Sequence, residues 1–331
     1  MPNLKKPRTF LCVGAAIQDV FLSNSSEFAP VCDNPDDCFF EIPLGAKVNV
    51  NYIRFSTGGG ATNAATTFAR AGENAIFMGQ VANDPAGAAI IKALDDEGIS
   101  TAGLAISDDY HTAYSVLLLA PSGERTILTY RGASTHFKLD NFDLARIEQD
   151  FDWLYVTTLN GHFEILDKLF QEAKERGAKI AFNPGRGELD DSPKLRSLLS
   201  DVDILIANRE ELKQCFTGET LEELVHRARN YCPVVVGTDG SAGAAAIDKT
   251  SFAVAGLYNP ESHVVDRTGA GDSFGSAFVL GYARGLGLKK ALLYGAANSD
   301  AVVRAIGTKT GILSSYTDLH DMKINIRPAN Y

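Results

Sequence analysis

Asp266-Arg267-Thr268-Gly269-Ala270-Gly271-Asp272-Ser273-Phe274-Gly275 decides how the rest of the chain reads. Three small residues, Gly269 to Gly271, precede an acid and then a helical stripe of Phe274, Ala277, Phe278, Leu280, Gly281 and Tyr282. Glycine lets a ligand come close to the backbone, and a helix start presents unpaired N–H groups with partial positive charge. Together they form a pocket for an anion, most often a phosphate. Asp272 is out of place there on electrostatic grounds. Either it caps the helix, as Asp does well, or it takes a proton from a hydroxyl that attacks a phosphoryl group.

The composition admits a globular enzyme and argues against charged polymers as partners. With 331 residues, 45% of them hydrophobic, the chain is long enough for one large α/β domain. Its net charge of −10 is spread along the chain, which disfavours nucleic acid or an anionic membrane as partner. No apolar run has the length of a membrane span, and Met1 to Arg8 is basic rather than a signal peptide, so a cytoplasmic location is expected. The five cysteines form no C-x-x-C pair; Cys32 and Cys38 are expected to remain free thiols.

Phe10 to Ala16 is an apolar run that fits a buried strand, and Asp19 follows where a parallel strand would deliver a side chain to a crevice. Residues 23 to 40 read as irregular, and Val48 to Phe55 as a half-buried strand. Gly58-Gly59-Gly60-Ala61-Thr62-Asn63 then opens a helix that ends at Gly72, with Asn63 in its first turn. Thr112 to Ala120 and Arg125 to Arg131 form a hairpin around Pro121-Ser122-Gly123-Glu124. From Trp153 onward strands and helices alternate, which predicts a mostly parallel sheet covered on both faces. Asp19, Asn183, Asn208 and Thr238 fall at strand ends, the edge where such sheets bind ligands.

Four stretches in order carry a family resemblance. Gly58 to Asn63 resembles the first signature of the ribokinase-like (PfkB) carbohydrate kinases, and Asp266 to Phe274 resembles the second, D-T-x-G-A-G-D-x-F. Asn208-Arg209-Glu210-Glu211 is similar to the family's N-x-x-E element, and Thr238 to Gly243 to its T-x-G-x-x-G nucleotide loop. The resemblance covers Phe10 to about Ile312 and implies a single three-layer α/β kinase domain over residues 1–331. Its β-sheet lid would be inserted at about 37–56 and 112–131.

The resemblance also implies roles. Asp272 would be the general base, with Gly269, Ala270 and Gly271 cradling the transferred phosphoryl group. Asp19, Gly59, Gly60 and Asn63 would bind the acceptor. Asn208, Thr238, Gly240, Gly243 and Asn298 would serve ATP, and Asn208 with Glu211 would bear on Mg²⁺ through water. Asp266 and Thr268 match a monovalent-cation motif, with K⁺ as the candidate ion. A homodimer through the lid is expected, since exposed sheet edges tend to be covered.

Arg267 stands where the family usually has a small residue, Asn24 to Glu41 is longer than in simple members, and the roles of Arg131 and Arg186 stay open. The acceptor is expected to be a sugar, ribose- or fructose-like, with a nucleoside as the alternative. A G-x-x-x-x-G-K-[ST] phosphate loop is absent from the sequence, and no G-x-G-x-x-G follows the first strand. A non-catalytic sugar- or nucleotide-binding regulator would be favoured only without Asp272 or its glycines, and both are present.

Overall fold

The computed structural model describes residues 6–23, 30–34, 37–120 and 125–329. In chain order the first strands are β1 (Thr9–Val13), β2 (Ile17–Ser23), β3 (Val31–Asn34), β4 (Asp37–Phe39) and β5 (Tyr52–Gly58). Then come α1 (Gly60–Arg70), β6 (Asn74–Ala82), α2 (Pro85–Asp96), β7 (Ser100–Ser107), β8 (Ala113–Leu119) and β9 (Arg125–Tyr130). The alternating part follows: β10 (Trp153–Thr157), α3 (Phe163–Glu175), β11 (Lys179–Asn183), α4 (Arg186–Leu189) and α5 (Ser192–Leu198). It continues with β12 (Ile204–Asn208), α6 (Arg209–Cys215), α7 (Leu221–Ala228) and β13 (Val234–Thr238). The last elements are β14 (Ala244–Ile247), β15 (Ser251–Ala255), α8 (Ala270–Ala283), α9 (Gly287–Val303) and β16 (Ile324–Pro328).

Ten strands form one sheet in the order β16-β15-β14-β13-β12-β11-β10-β1-β6-β7, parallel from β13 to β7 and antiparallel beyond β13. The central strands are mostly apolar between their ends because both faces are covered. On β1, Leu11 and Val13 join a core with α3, α5, α6 and α7, while Phe10 and Cys12 join a second core with α1, α2, α8 and α9. Leu154 and Val156 on β10 repeat that split against Trp153 and Tyr155. The result is three layers, with the starts of α1 and α8 delivered to one sheet edge. No described helix is long and apolar enough to cross a membrane.

A second sheet of four strands, β5-β2-β8-β9, stands apart from the first. Here the fold corrects the reading of Asp19. Expected beyond the end of the first strand, it lies inside β2, paired with Ser56 of β5 and Ser115 of β8. β1 stops at Val13, and Gly14 to Ala16 suffice for the chain to leave one sheet and enter the other. Gln18 to Phe21 are buried on both faces of β2, so burial alone does not tell this strand from the one before it; the change of sheet does.

Other boundaries shift by a few residues. The strand expected at Val48 starts at Tyr52, and the stretch read as irregular contains the β3–β4 hairpin. Cys32 and Cys38, expected free, form a disulfide because antiparallel pairing sets them directly opposite each other. Residues 24–29 of the long insertion, and the hairpin turn 121–124, lie outside the described residues.

The α1 layer is fixed by aromatic stacking. Phe68 lies flat on Phe10 with ring centroids 3.9 Å apart and meets the edge of Tyr155 at 5.6 Å. Phe68→Ala should therefore destabilise the chain by about 3–5 kcal/mol in denaturant unfolding. A loss below about 1 kcal/mol would mean that this stack does not hold α1 to the sheet.

Candidate active site

Two helix starts face one gap, and each depends on a glycine. Gly59 precedes α1 with φ 100°, and Gly269 precedes α8 with φ 80°, a region that side chains avoid. A Cβ on Gly59 would lie 2.2 Å from Ala15 O, and one on Gly269 would lie 3.0 Å from Thr308 Cβ. No side chain caps α8, so its first turn presents backbone N–H groups, although Ala270 N–H reaches Arg267 O at 3.3 Å.

The gap is bridged by one hydrogen bond. Asn63 in the first turn of α1 donates from Nδ2 to Asp272 Oδ2 at 2.8 Å. That bond fixes the amide, and leaves Asn63 Oδ1 buried without a partner among the described residues. Gly60 lies against the same acid: a Cβ there would approach Asp272 Oδ1 to 3.1 Å. Asp272 is held above the usual carboxylate range by burial, against the pull of the Asn63 bond and of the Lys309 charge.

Asp19 faces this gap from the second sheet. It heads a polar row across all four strands, Ser56–Asp19–Ser115–Thr129, set by strand register. Ser115 Oγ and Thr129 Oγ1 are 3.4 Å apart. Burial pushes the Asp19 carboxyl up to about 7, opposed by Lys309 and the Ser115 bond and reinforced by Asp266 and Asp272. Ser115 and Lys309 were not singled out in the sequence. The first needs the register of two distant strands, and the second sits in a loop where a lysine reads as solvated.

Asn208 and Glu211 form a reciprocal cap on α6. Asn208 Oδ1 accepts from Glu211 N–H at 2.9 Å, and Glu211 Oε2 accepts from Asn208 N–H at 2.8 Å. Burial raises the Glu211 carboxyl, and the charge of Asp272 raises it further. No cluster of three or more His, Cys, Asp or Glu side chains able to hold a metal occurs among the described residues, so Glu211 offers oxygen to a cation only singly, as contact through water requires.

A cleft of about 340 Å³ runs from the first turn of α8 past Thr238, Gly240 and Gly243 to Tyr258 and Ser299. Arg267 lines it. Asn298 does not line it. It is fully buried, donating to Ser273 O at 2.9 Å and accepting from Leu313 N–H at 2.9 Å. The amide clamps α9 to α8 and to the chain beyond; its neighbour Ser299 is the residue that meets the cleft.

Asp266 is likewise engaged by its own surroundings. Oδ1 accepts from the Thr268 N–H and hydroxyl at 2.9 and 2.6 Å, and Oδ2 from Gly307 N–H at 3.1 Å. It ties the loop before α8 to the 307–309 turn. Arg131 is exposed, and Arg186 lies on the surface within 3.9 Å of Asp190. Asn183 donates to Ile206 O at 2.9 Å.

Residues 34–314 match the sequence pattern of the pfkB family carbohydrate kinases. The chain belongs to this family. Among pfkB relatives, it is 26% identical over 281 residues to an ATP-dependent 6-phosphofructokinase of Thermoanaerobacterium thermosaccharolyticum, covering 80% of this chain and 85% of that one. It is 25% identical over 265 residues to a nucleoside kinase of Methanothermobacter thermautotrophicus, covering 80% and 83%. The adenosine kinase structure from Sinorhizobium meliloti superposes with a TM-score of 0.76 at 21% identity, over 92% of this chain and 96% of that one. The fold is thus the ribokinase-like α/β fold.

The buried clamp makes a separable prediction. Asn298→Ala should cost about 1–3 kcal/mol of stability while leaving the nucleotide dissociation constant of the folded enzyme unchanged. Calorimetry of the folded variant with ATP checks it; a tenfold weaker affinity would return Asn298 to the nucleotide site.

Proposed function

We propose that this pfkB kinase transfers the γ-phosphoryl group of ATP to a primary hydroxyl of a sugar, with Asp272 as the general base. The observation that carries the reading is the Asn63–Asp272 contact, which holds an acid between two uncapped helix starts. Beside Asp272, the Gly269 to Gly271 backbone offers donors for the oxygens on which charge builds. The acid must be ionised to accept the hydroxyl's proton. Burial raises its pKa, which makes the ionised acid a stronger base, and Asn63 holds Oδ2, which leaves Oδ1 for the proton.

On the acceptor side, Ser56–Asp19–Ser115–Thr129 supplies a carboxylate and hydroxyls for a polyol, with Gly59 and Gly60 allowing close approach. Contacts of this kind discriminate strongly against analogues that lack the hydroxyl. A nucleoside is the alternative acceptor. Ile127 stands on the same face and is 42% exposed, so it offers apolar area to a base.

ATP would occupy the cleft by Thr238, Gly240 and Gly243, and Asn208 with Glu211 would hold Mg²⁺ through water. When bound, the ion neutralises charge on the transferring phosphates. The second sheet would act as the lid. Its outer row, Phe55–Val20–Val116–Leu128, leaves Phe55 63% and Leu128 59% exposed, a face that suits a second copy of the chain.

An ADP-release screen over ribose, fructose, 2-keto-3-deoxygluconate and nucleosides identifies the acceptor. With it, Asp272→Asn should lower kcat by about 10²–10⁴ while ATP binding persists. Near-wild-type turnover would remove the base. Because Asp272 must be ionised and its pKa is raised, kcat/KM should fall as the pH drops through a value above the ordinary aspartate range. A profile flat down to the ordinary range would contradict that assignment. Phe55→Glu should shift a dimer to monomer in sedimentation; a wild-type monomer at micromolar concentration would refute the lid interface.

A further inference from the structure

Lys309 is committed to one turn. Its Nζ donates to Thr57 O at 2.6 Å, to Thr62 Oγ1 at 2.8 Å and to Thr57 Oγ1 at 3.2 Å. The direction of the second bond is fixed by chemistry. The Thr62 hydroxyl points its single proton at Gly58 O and Gly59 O, at 2.8 and 3.0 Å, so toward Lys309 it can only accept. Thr57 O, a carbonyl, can only accept as well. An ammonium has three N–H bonds, and here all three are taken by protein. Lys309 therefore has no donor left for a substrate, which separates it from a ligand-binding lysine.

Its backbone is anchored from the opposite side. Arg70 Nη1 donates to Lys309 O at 2.7 Å and to Ile312 O at 3.1 Å, and Arg70 is itself paired with Glu97. Thr308 adds a bond from its hydroxyl to Thr57 O at 3.1 Å. A continuous polar chain thus runs from Glu97 through Arg70 and Lys309 to the triple-glycine turn. That turn carries Gly59 and Gly60 and leads into Asn63, which holds Asp272.

We propose that Lys309 is a positioning residue of the acceptor pocket: it ties down the Thr57–Thr62 turn, and in its charged form its ammonium serves both Asp19 and Asp272. Its catalytic consequence rests on the kinase reading above; its structural consequence does not. The charged groups that bear on Lys309 are Asp19, Asp272 and Glu97, which favour its charge, and Arg70, which opposes it. Burial brings the amine down to about 7, and the three filled donors suit its charged form. In return, Lys309 lowers both carboxyls, so its removal should raise the pKa of Asp272 and delay ionisation of the base to higher pH.

The test compares Lys309→Met, which keeps much of the stem and loses the charge, with Lys309→Arg, which keeps the charge. In hydrogen exchange, Lys309→Met should speed amide exchange across residues 58–63. In the pH profile of kcat/KM its acidic limb should move up by about one unit or more, the usual effect of losing a neighbouring opposite charge. At neutral pH, kcat/KM should fall about 10²-fold, with partial recovery as pH rises. Lys309→Arg should keep the limb within a few tenths of a unit of wild type.

A folded Lys309→Met variant with wild-type exchange over 58–63, or with an unmoved limb, would overturn the proposal. If that variant does not fold, Lys309→Gln serves instead. It keeps a polar head and loses the charge, so it should move the limb in the same direction as Lys309→Met; an unmoved limb would again overturn the proposal. Wild-type protein without ATP-dependent turnover would remove the kinase reading alone, and the exchange measurement would still judge Lys309.

Discussion

The hydrogen bond from Asn63 to Asp272 joins two helix starts that are 209 residues apart in the chain. Each start alone is a common local structure: glycines, uncapped N–H groups and a first turn. Brought together, they place an acid where an anion site would ordinarily exclude one. The surrounding fold exists to keep that arrangement. α1 is held to the sheet by the Phe10–Phe68 stack, and α8 is held to α9 by the buried Asn298 amide. Asp266 then ties the loop before α8 to the 307–309 turn, which closes the ring of contacts around the gap.

Electrostatics follows from the same enclosure. Three ionisable groups, Asp19, Asp272 and Lys309, lose hydration together; Lys309 and each acid offset part of that cost for one another, while the two acids oppose each other's charge. A lone buried carboxyl would be neutral at physiological pH. Here the ammonium and the Asn63 amide counter that tendency, while Glu211 adds a further acid that a divalent cation would relieve. The polarity of the pocket is therefore collective, and removing one charge changes the protonation of the rest.

Much of the large sheet was legible in the sequence because parallel strands covered on both faces carry apolar runs, as Trp153 to Val156 and Val234 to Val236 do. The two glycine turns were legible as local patterns, and Asn208 to Glu211 as a family element, though not as the reciprocal cap it forms. What depended on distant register was not. Asp19 seemed to end a buried strand, because a three-residue connection between sheets carries no local signal. Ser56, Ser115 and Thr129 join it only through strand pairing. Lys309 carried no sequence signal, because its three acceptors lie 247 or 252 residues away in the chain. Asn298 was placed at the nucleotide only by the family resemblance, and the two backbone groups that satisfy its amide are distant in the chain and carry no local signal.

The central claim is geometric: the acceptor hydroxyl meets Asp272 in the gap between the two turns. A crystal structure with the acceptor and a non-hydrolysable ATP analogue measures it directly. The account predicts the acceptor hydroxyl about 2.6–3.2 Å from Asp272 Oδ1, with the γ-phosphate against the Gly269 to Gly271 backbone. An acceptor bound with its hydroxyl out of reach of Asp272, or a γ-phosphate away from those N–H groups, would contradict it.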